Sequence, residues 1–539
     1  MKKYILTAIC IAAAVAANAQ SDATLNSVTE TYTLKPDGSV DYDYSKSITY
    51  HTHHSFFSLF GETFVVYNPE YQKLKINDSY TVQKNGKKVV SPANAFNEVL
   101  PSAAANSADY NGLKEMVITH TGLEPDATTY LSYTIEGTPD GAPSLDIDRI
   151  IPVQGADIKE YKIVVNVPEG VKLNWSLLGS DVKPAISGNT YTWTFHNVPV
   201  AVGEPNSPVN NSGMLRLSAT SAGSLEEALR PLAVETRDIC QLPGNVLEGK
   251  NTADEKIEAV QKFIVENIAT GGVTPDMNGN RIRQCSAVIE SAYGSAAEKA
   301  AAMAKLLRQE GMDARMVVAF PKEIGAKNIR NISKYLVKVG DKLYGVDKTG
   351  EYNAGLRADR DEIYDLNGNL VPVTPAGVKI DCSASIALNA DSVSLVSEKC
   401  SAVGLDGKIE IKNGGEVAKR GAYTVYTLPD PSQGVDKWGL MSQLLSERKD
   451  LLEIPYAVDE TCVYTITLDG MKSLTKNNAV NLNNAAGQVS LSIENKGGAI
   501  EIRRHIKLDR TVYAPAEYEA VKKLLLEWLS PAFRSVVVR

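Results

Sequence analysis

The sequence predicts a β-rich, multidomain protein. A β-sandwich comes first, an α+β domain lies in the centre, and a second β-sandwich domain ends in a closing helix. Three observations predict this. The chain has 539 residues, too many for one hydrophobic core when a domain takes about 150. Alternating polar and apolar runs fill both ends. Helical periodicity is concentrated between about residues 223 and 310.

The first segment, "MKKYILTAICIAAAVAANAQ", has the form of an export signal. Lys2 and Lys3 lead a short apolar stretch, and Ala17-Asn18-Ala19 is an A-x-A cleavage site. The apolar run is shorter than the roughly 20 residues that a membrane span needs. Residues 1–19 are therefore expected to be removed, leaving a protein of the periplasm or cell surface with no transmembrane span. Cleavage leaves five cysteines, Cys240, Cys285, Cys382, Cys400 and Cys462. At least one must be free or pair between chains; Cys382 and Cys400 are the closest in sequence.

Residues 20–222 read as β. "TYTLKPDGSVDYDYSKSITYH" alternates around Asp37-Gly38, and "QKLKINDSYTVQKNGKKVV" places Asn85-Gly86 between two strands, the strongest short hairpin signal. Strands at short spacing without helices imply a sandwich.

Residues 223–378 form the central domain. "SLEEALRPLAVETRDIC" is helical. In "NTADEKIEAVQKFIVENIATGG", Thr252 and Glu255 make a capping box, and Ile257, Val260, Phe263, Ile264 and Ile268 form one stripe. A third helix runs from about Ala296 to Gln309, with Ala300, Met303, Ala304 and Leu307 facing the core and Gly311 as the stop. "ARMVVAF", "KYLVKV" and "KLYGVD" follow as strands, giving an α+β domain.

Residues 379–539 read as β again, through "KIEIKN", "GAYTVYTL", "CVYTITL", "VSLSIEN" and "AIEIRRHIKL". "WGLMSQLLSERKDLL" reads as a helix that interrupts them. The last helix, about Pro515 to Leu529, packs Val521, Leu524, Leu525 and Trp528 on one face.

Composition excludes one class of partner. The chain is 43% hydrophobic and 22% charged, with net charge −8. No basic excess exists to neutralise phosphates, so nucleic acid is not expected as a partner. Neither a cofactor nor a metal is implied. "YHTHHSF" is the sharpest metal-like cluster, since His51 and His53 would share one face of a strand. No carboxylate or cysteine lies close by to complete a site, and a solvated strand face is the expectation.

Three stretches carry a resemblance. "GETFVVYNPEYQKLKINDSYTVQKNGKKVVSPANAFNEVLP" and "NGLKEMVITHTGLEPDATTYLSY" resemble an N-terminal β-sandwich domain of unknown function found upstream of transglutaminase-like domains in exported bacterial proteins. "RRHIKLDRTVYAPAEYEAVKKLLLEWLSPAFRSVVV" resembles the smaller C-terminal β domain of the same proteins. The turn-helix-strand unit at Ala292–Phe320, with "KLYGVDKT", resembles their transglutaminase-like (papain-like) core. That core mounts a nucleophilic cysteine at a helix N-terminus, where the macrodipole lowers its pKa. A histidine on the adjacent strand takes the proton, and an aspartate orients it. The resemblance places the nucleophile at Ala296, the histidine near Lys334 and the aspartate at Asp347. Only the aspartate is chemically intact. No histidine lies between residues 197 and 504, so the core has none of its own.

Two substitutes for the nucleophile are present. Cys285 lies eleven residues before Ala296 and is expected to be structural or paired. Ser295 sits at the helix start, where Glu298 would make it half of a capping box. The expectation is a pseudoenzyme, not a catalyst. Its groove near Ser295, Lys334 and Asp347 would bind a peptide or glycan of the cell envelope. The alternative is an amidase, peptidase or acyl transferase using Cys285 or Ser295. A metal- or glycan-binding sandwich around a purely structural core is the third possibility.

Overall fold

The computed structural model describes residues 21–539, apart from 143, 202, 209–213, 234–238, 391, 406, 441–443 and 445. The predicted export signal, residues 1–19, lies outside the described residues. The protein is β-rich and multidomain, with an α+β centre and a closing helix.

At the N-terminal end, an eight-stranded sheet faces two three-stranded sheets. The hairpin Ala23–Leu34/Val40–Tyr50 turns at Gly38 (φ +86°), and Gln72–Val82 pairs with Lys88–Val90 through the Asn85-Gly86 turn. Alternation along each strand sends one row inward. Tyr161, Ile163, Val165, Trp193 and Ile48 meet there, almost wholly buried. The strand Val40–Tyr50 ends before the histidines. Thr52 and Asp22 turn the chain into a single π-helical turn, Ser55–Leu59. His51 therefore donates to or accepts from Thr24 (2.9 Å), while His53 packs on Phe56 and Phe57. The expectation that His51 and His53 share a strand face is corrected by this turn.

The central domain has four helices among the described residues: α1 (Leu225–Leu229), α2 (Ala253–Asn267), α3 (Cys285–Ser291) and α4 (Ala296–Gln309). The predicted first helix is only five residues long and then tightens to a 3₁₀ turn, Arg230–Ala233. Helix α4 packs on α2 and on the strands Ala314–Pro321 and Lys334–Val339. Those strands belong to a five-stranded antiparallel sheet. Ala300, Met303, Ala304 and Leu307 all lie in the core between helix and sheet, as their spacing predicts.

The C-terminal end holds a six-stranded sheet closed by α5 (Tyr518–Trp528), with Val521, Leu524, Leu525 and Trp528 fully buried. Cys382 and Cys400 sit opposite each other in neighbouring strands and are bridged. Two expectations fail here. "KIEIKN" is not a strand, although Ile409 and Ile411 are buried. The helix expected in "WGLMSQLLSERKDLL" falls partly on 441–443 and 445, which lie outside the described residues; the described ones hold no α-helix. Leu440, Leu444 and Leu452 are buried, the last in a two-residue strand, Leu452–Glu453, paired with Val512–Tyr513. Tertiary contacts override local propensity: Arg448 reaches across to Pro205 O and Ser207 of the N-terminal domain.

The two end domains share a topology. In each, an opening hairpin (Ala23–Leu34/Val40–Tyr50; Val378–Leu388/Val393–Val403) lies beside a later parallel strand (Ala156–Asn166; Val458–Leu468). That strand pairs on its other side with the second strand of a later hairpin (Ala185–Ser187/Thr190–Val198; Gly487–Asn495/Ala499–Leu508).

Candidate functional site

The start of α4 is built by local chemistry. Ser295 is the N-cap: its Oγ accepts from Glu298 N (3.2 Å), and Glu298 Oε2 accepts from Ser295 N (2.9 Å). Gly294 precedes it, where a Cβ would stand 3.1 Å from Val288 and 3.3 Å from Glu298. Ala296 follows as the first helical residue and brings only a methyl group. Ser295 is 8% exposed, so its hydroxyl serves as a cap inside the protein and not as a group on an open surface.

Glu298 is the hub of this end of the helix. It is 1% exposed and takes hydrogen bonds from Arg283 Nε (3.0 Å) and from Tyr110 Oη (2.7 Å). Tyr110 belongs to the N-terminal domain, in the 101–113 loop. Arg283 also pairs with Asp109 of that loop (2.5 Å) and lies 4.3 Å from the Tyr293 ring. The N-terminal domain is thus plugged against the helix start where a nucleophile is expected.

Cys285, the other substitute, is bridged to Cys240 and buried. A disulfide sulfur has no thiol to ionise, so Cys285 as a relocated nucleophile is corrected to a structural half-cystine. Cys462 is the free cysteine among the described residues. It is fully buried, and burial with the Glu460 carboxylate pushes its thiol well above the ordinary value.

Lys334 and Asp347 do come together. Lys334 opens the strand Lys334–Val339, and Asp347 follows the strand Lys342–Gly345 beside it. Their Nζ and Oδ2 atoms lie 3.0 Å apart, and the ammonium lies 5.2 Å from the centre of the Tyr352 ring. Burial alone would raise the Asp347 carboxyl. The hydrogen bond and charge of Lys334, with Lys299 behind, outweigh it and hold the carboxyl below the usual carboxylate range. An ammonium thus occupies the place where the resemblance puts an imidazole, and it donates where a base would have to accept.

Two further residues shape the site, and both are polar interruptions of apolar helix faces. Lys299, one turn after Ala296, is 2% exposed. Its Nζ donates to Ile268 O (2.7 Å) and Thr270 Oγ1 (3.2 Å), and burial lowers its pKa against the pull of Asp347. Gln261 of α2 donates to Gly345 O, Lys348 O and Gly350 O and accepts from Gly350 N. It fixes the turn that carries Asp347. The signal for both lay in the sequence, as a lysine within "AAEKAAAMAKLL" and a glutamine beside Val260.

The ion pair opens on a cleft of about 340 Å³ between the central and C-terminal domains. Tyr352, Asn353, Arg357 and Gln433 line it together with Lys334 and Asp347; Ser295 and Ala296 do not. Among the described residues, no group of three or more His, Cys, Asp or Glu side chains is arranged to hold a metal.

Comparison with known proteins agrees with this architecture. Residues 36–201 match a domain of unknown function, DUF3857; residues 241–340 match the transglutaminase-like superfamily; residues 423–538 match a second domain of unknown function, DUF3858. The crystal structure of a "putative protease" from Parabacteroides distasonis is 31% identical over 96% of this chain and 99% of that one, with a TM-score of 0.77. The chain therefore belongs to the family that this structure represents, and in this chain the two domains of unknown function flank a transglutaminase-like core. Yeast leukotriene A4 hydrolase is matched at 10% identity over 45% of this chain and 36% of that one, with a TM-score of 0.22. An M1 zinc metallopeptidase from Deinococcus radiodurans is matched at 11% identity over 53% and 63%, with a TM-score of 0.20. These two carry no argument about fold or function. No curated protein matches the sequence.

Proposed function

We propose that the protein is an exported component of the cell envelope whose transglutaminase-like core binds and does not catalyse. The cleft between the core and the C-terminal domain holds a segment of peptide or glycan. The observation that carries this is the Lys334–Asp347 ion pair, 3.0 Å long, at the two positions where the family resemblance puts base and orienter. An aspartate committed to an ammonium has no imidazole to orient, and nucleophilic catalysis needs a base within reach of the nucleophile. The buried cap at Ser295 and the bridged Cys285 support the same reading. Export rests on the signal in residues 1–19.

The relative described as a "putative protease" favours a second reading, hydrolysis of a peptide bond, which would need a nucleophile from outside the expected position. One experiment separates the two. The chain from Gln20 onward is titrated calorimetrically with envelope peptides and glycan fragments, and each mixture is then analysed by mass spectrometry for cleavage or transfer products. Saturable binding that weakens in Asp347→Ala and Lys334→Met, with no product, is expected. Product formation abolished by Ser295→Ala would establish the hydrolytic reading instead.

A further inference from the structure

A second cavity, of about 350 Å³, lies between the N-terminal sandwich and the central domain, away from the Lys334–Asp347 cleft. Four tyrosines, Tyr32, Tyr42, Tyr67 and Tyr71, contribute to its wall. The turn Pro275–Asn278 and the residues after it close it from the core side. Contact there is tight: a Cβ at Gly279 (φ +72°) would stand 3.4 Å from Tyr71 and 3.5 Å from Asp140.

The wall also holds three carboxylates, Asp140, Asp146 and Asp276, and the amide of Asn280. Asn280 Oδ1 is buried and meets no hydrogen-bond donor among the described residues. Asp140, half-buried, accepts the Ala142 N–H at one oxygen (2.9 Å). Asp146, 8% exposed, is held by Thr220 (2.5 Å) and Ser144 (3.2 Å). The two guanidiniums in the wall are already paired, Arg149 with Glu30 and Arg330 with Asp276 (3.1 Å). Buried acceptors want donors, and aromatic faces attract cations.

The rim shows the same chemistry satisfied from within. Arg281 pairs with Glu70 (3.0 Å), and its guanidinium lies 6.0 Å from the centre of the Tyr71 ring. Beyond Tyr71 a shallower groove of about 460 Å³ continues past four carboxylates, Asp41, Asp43, Glu70 and Glu136, and two lysines, Lys35 and Lys73. Lys35 is paired with Asp41 and Glu70 with Arg281, so a ligand filling the cavity would extend over a track in which carboxylates outnumber lysines.

We propose that this cavity is a binding site for a basic peptide: a lysine or arginine side chain enters among the tyrosines and donates to Asn280 and Asp140, and neighbouring basic residues follow the acidic track. Recognition rests on the cationic nitrogen, which a free diamine also supplies.

Calorimetric titration of the chain from Gln20 onward tests this, with trilysine, its fully acetylated counterpart and cadaverine as probes. Trilysine is expected to bind saturably, and acetylation to weaken binding at least about tenfold, as loss of a charge-assisted hydrogen bond does. Asp140→Asn, in a surface loop, is expected to weaken trilysine to a similar degree with an unchanged Tm. Trilysine binding tighter than cadaverine supports a peptide site; equal binding supports the amine chemistry and overturns the acidic track. Absence of saturable binding, or equal affinity for the acetylated peptide, overturns the proposal. Should Asp140→Asn lower the Tm, the acetylation comparison on the unaltered chain decides alone.

Discussion

Ser295 stands where the resemblance leads one to expect a nucleophile beside it, and it caps a helix instead. Its Oγ accepts the Glu298 N–H and its own N–H is taken by the Glu298 carboxylate. Ser295→Ala should therefore cost about 1 kcal/mol of stability, as the loss of an N-cap does, without altering binding in the cleft. Urea denaturation and calorimetry read the two effects separately. Glu460 offers a pH test at the same scale. Burial, with the Asp436 carboxylate nearby, pushes its carboxyl from the ordinary 4.5 up to about 7. Between those values the folded chain holds a proton that the unfolded chain has released, so this group lowers stability as pH rises through the window. Glu460→Gln, which cannot ionise, should gain Tm relative to the wild type progressively from pH 4.5 to about 7 and no further above it. A constant Tm difference across that range would refute the assignment.

At the scale of elements, the bridge between Cys240 and Cys285 fastens the segment before α2 to the start of α3, across 45 residues. The double substitution Cys240→Ser/Cys285→Ser should cost about 2–4 kcal/mol in guanidinium denaturation. A loss of turnover on a substrate, with stability unchanged, would contradict a structural role. Much of this scale was legible in the sequence. The limits of α4, its cap and its buried face follow from Ser295, Glu298, Gly311 and the apolar spacing, because capping and periodicity are local physics. The described part of "WGLMSQLLSERKDLL" departs from an α-helix for the converse reason. Its leucines fall at helical spacing, but their burial and the reach of Arg448 to the N-terminal domain are decided by partners far away in sequence. Lys299 and Gln261 were missed on the same ground, since their partners are backbone carbonyls 31 to 89 residues off and, for Lys299, a threonine hydroxyl 29 residues off. The shared topology of the two end domains was also invisible, because alternation of period two fixes which side is buried and not which strand is the neighbour.

At the scale of the whole molecule, polar contacts join the central domain to both of its neighbours. Asn328 donates to Ile147 O and Ala219 O of the N-terminal sandwich; Asp359 accepts from Thr511, and Arg357 pairs with Glu453, on the C-terminal side. Arg283 is another of these ties and holds both Asp109 and the buried Glu298. Arg283→Met would leave Glu298 buried without its cation, and about 3–5 kcal/mol should be lost, seen as an earlier midpoint in chemical denaturation. A variant as stable as the wild type would show that the loop docks without this pair. Such close joints suit a protein whose clefts lie between domains: one beside Lys334 and Asp347, the other among the tyrosines.

The claim that the core has no thiol nucleophile is tested most directly by alkylation. The native chain from Gln20 onward is treated with dilute iodoacetamide at about pH 6, where an ordinary thiol of pKa about 8.5 is nearly inert and an activated thiolate is not. Peptide mass spectrometry then locates any adduct. No adduct is expected on any cysteine of the native protein, and an adduct on Cys462 is expected once the chain is unfolded and the pH raised. Rapid labelling of the native protein, above all at Cys285, would mean a reduced and activated thiolate, and would contradict a non-catalytic core.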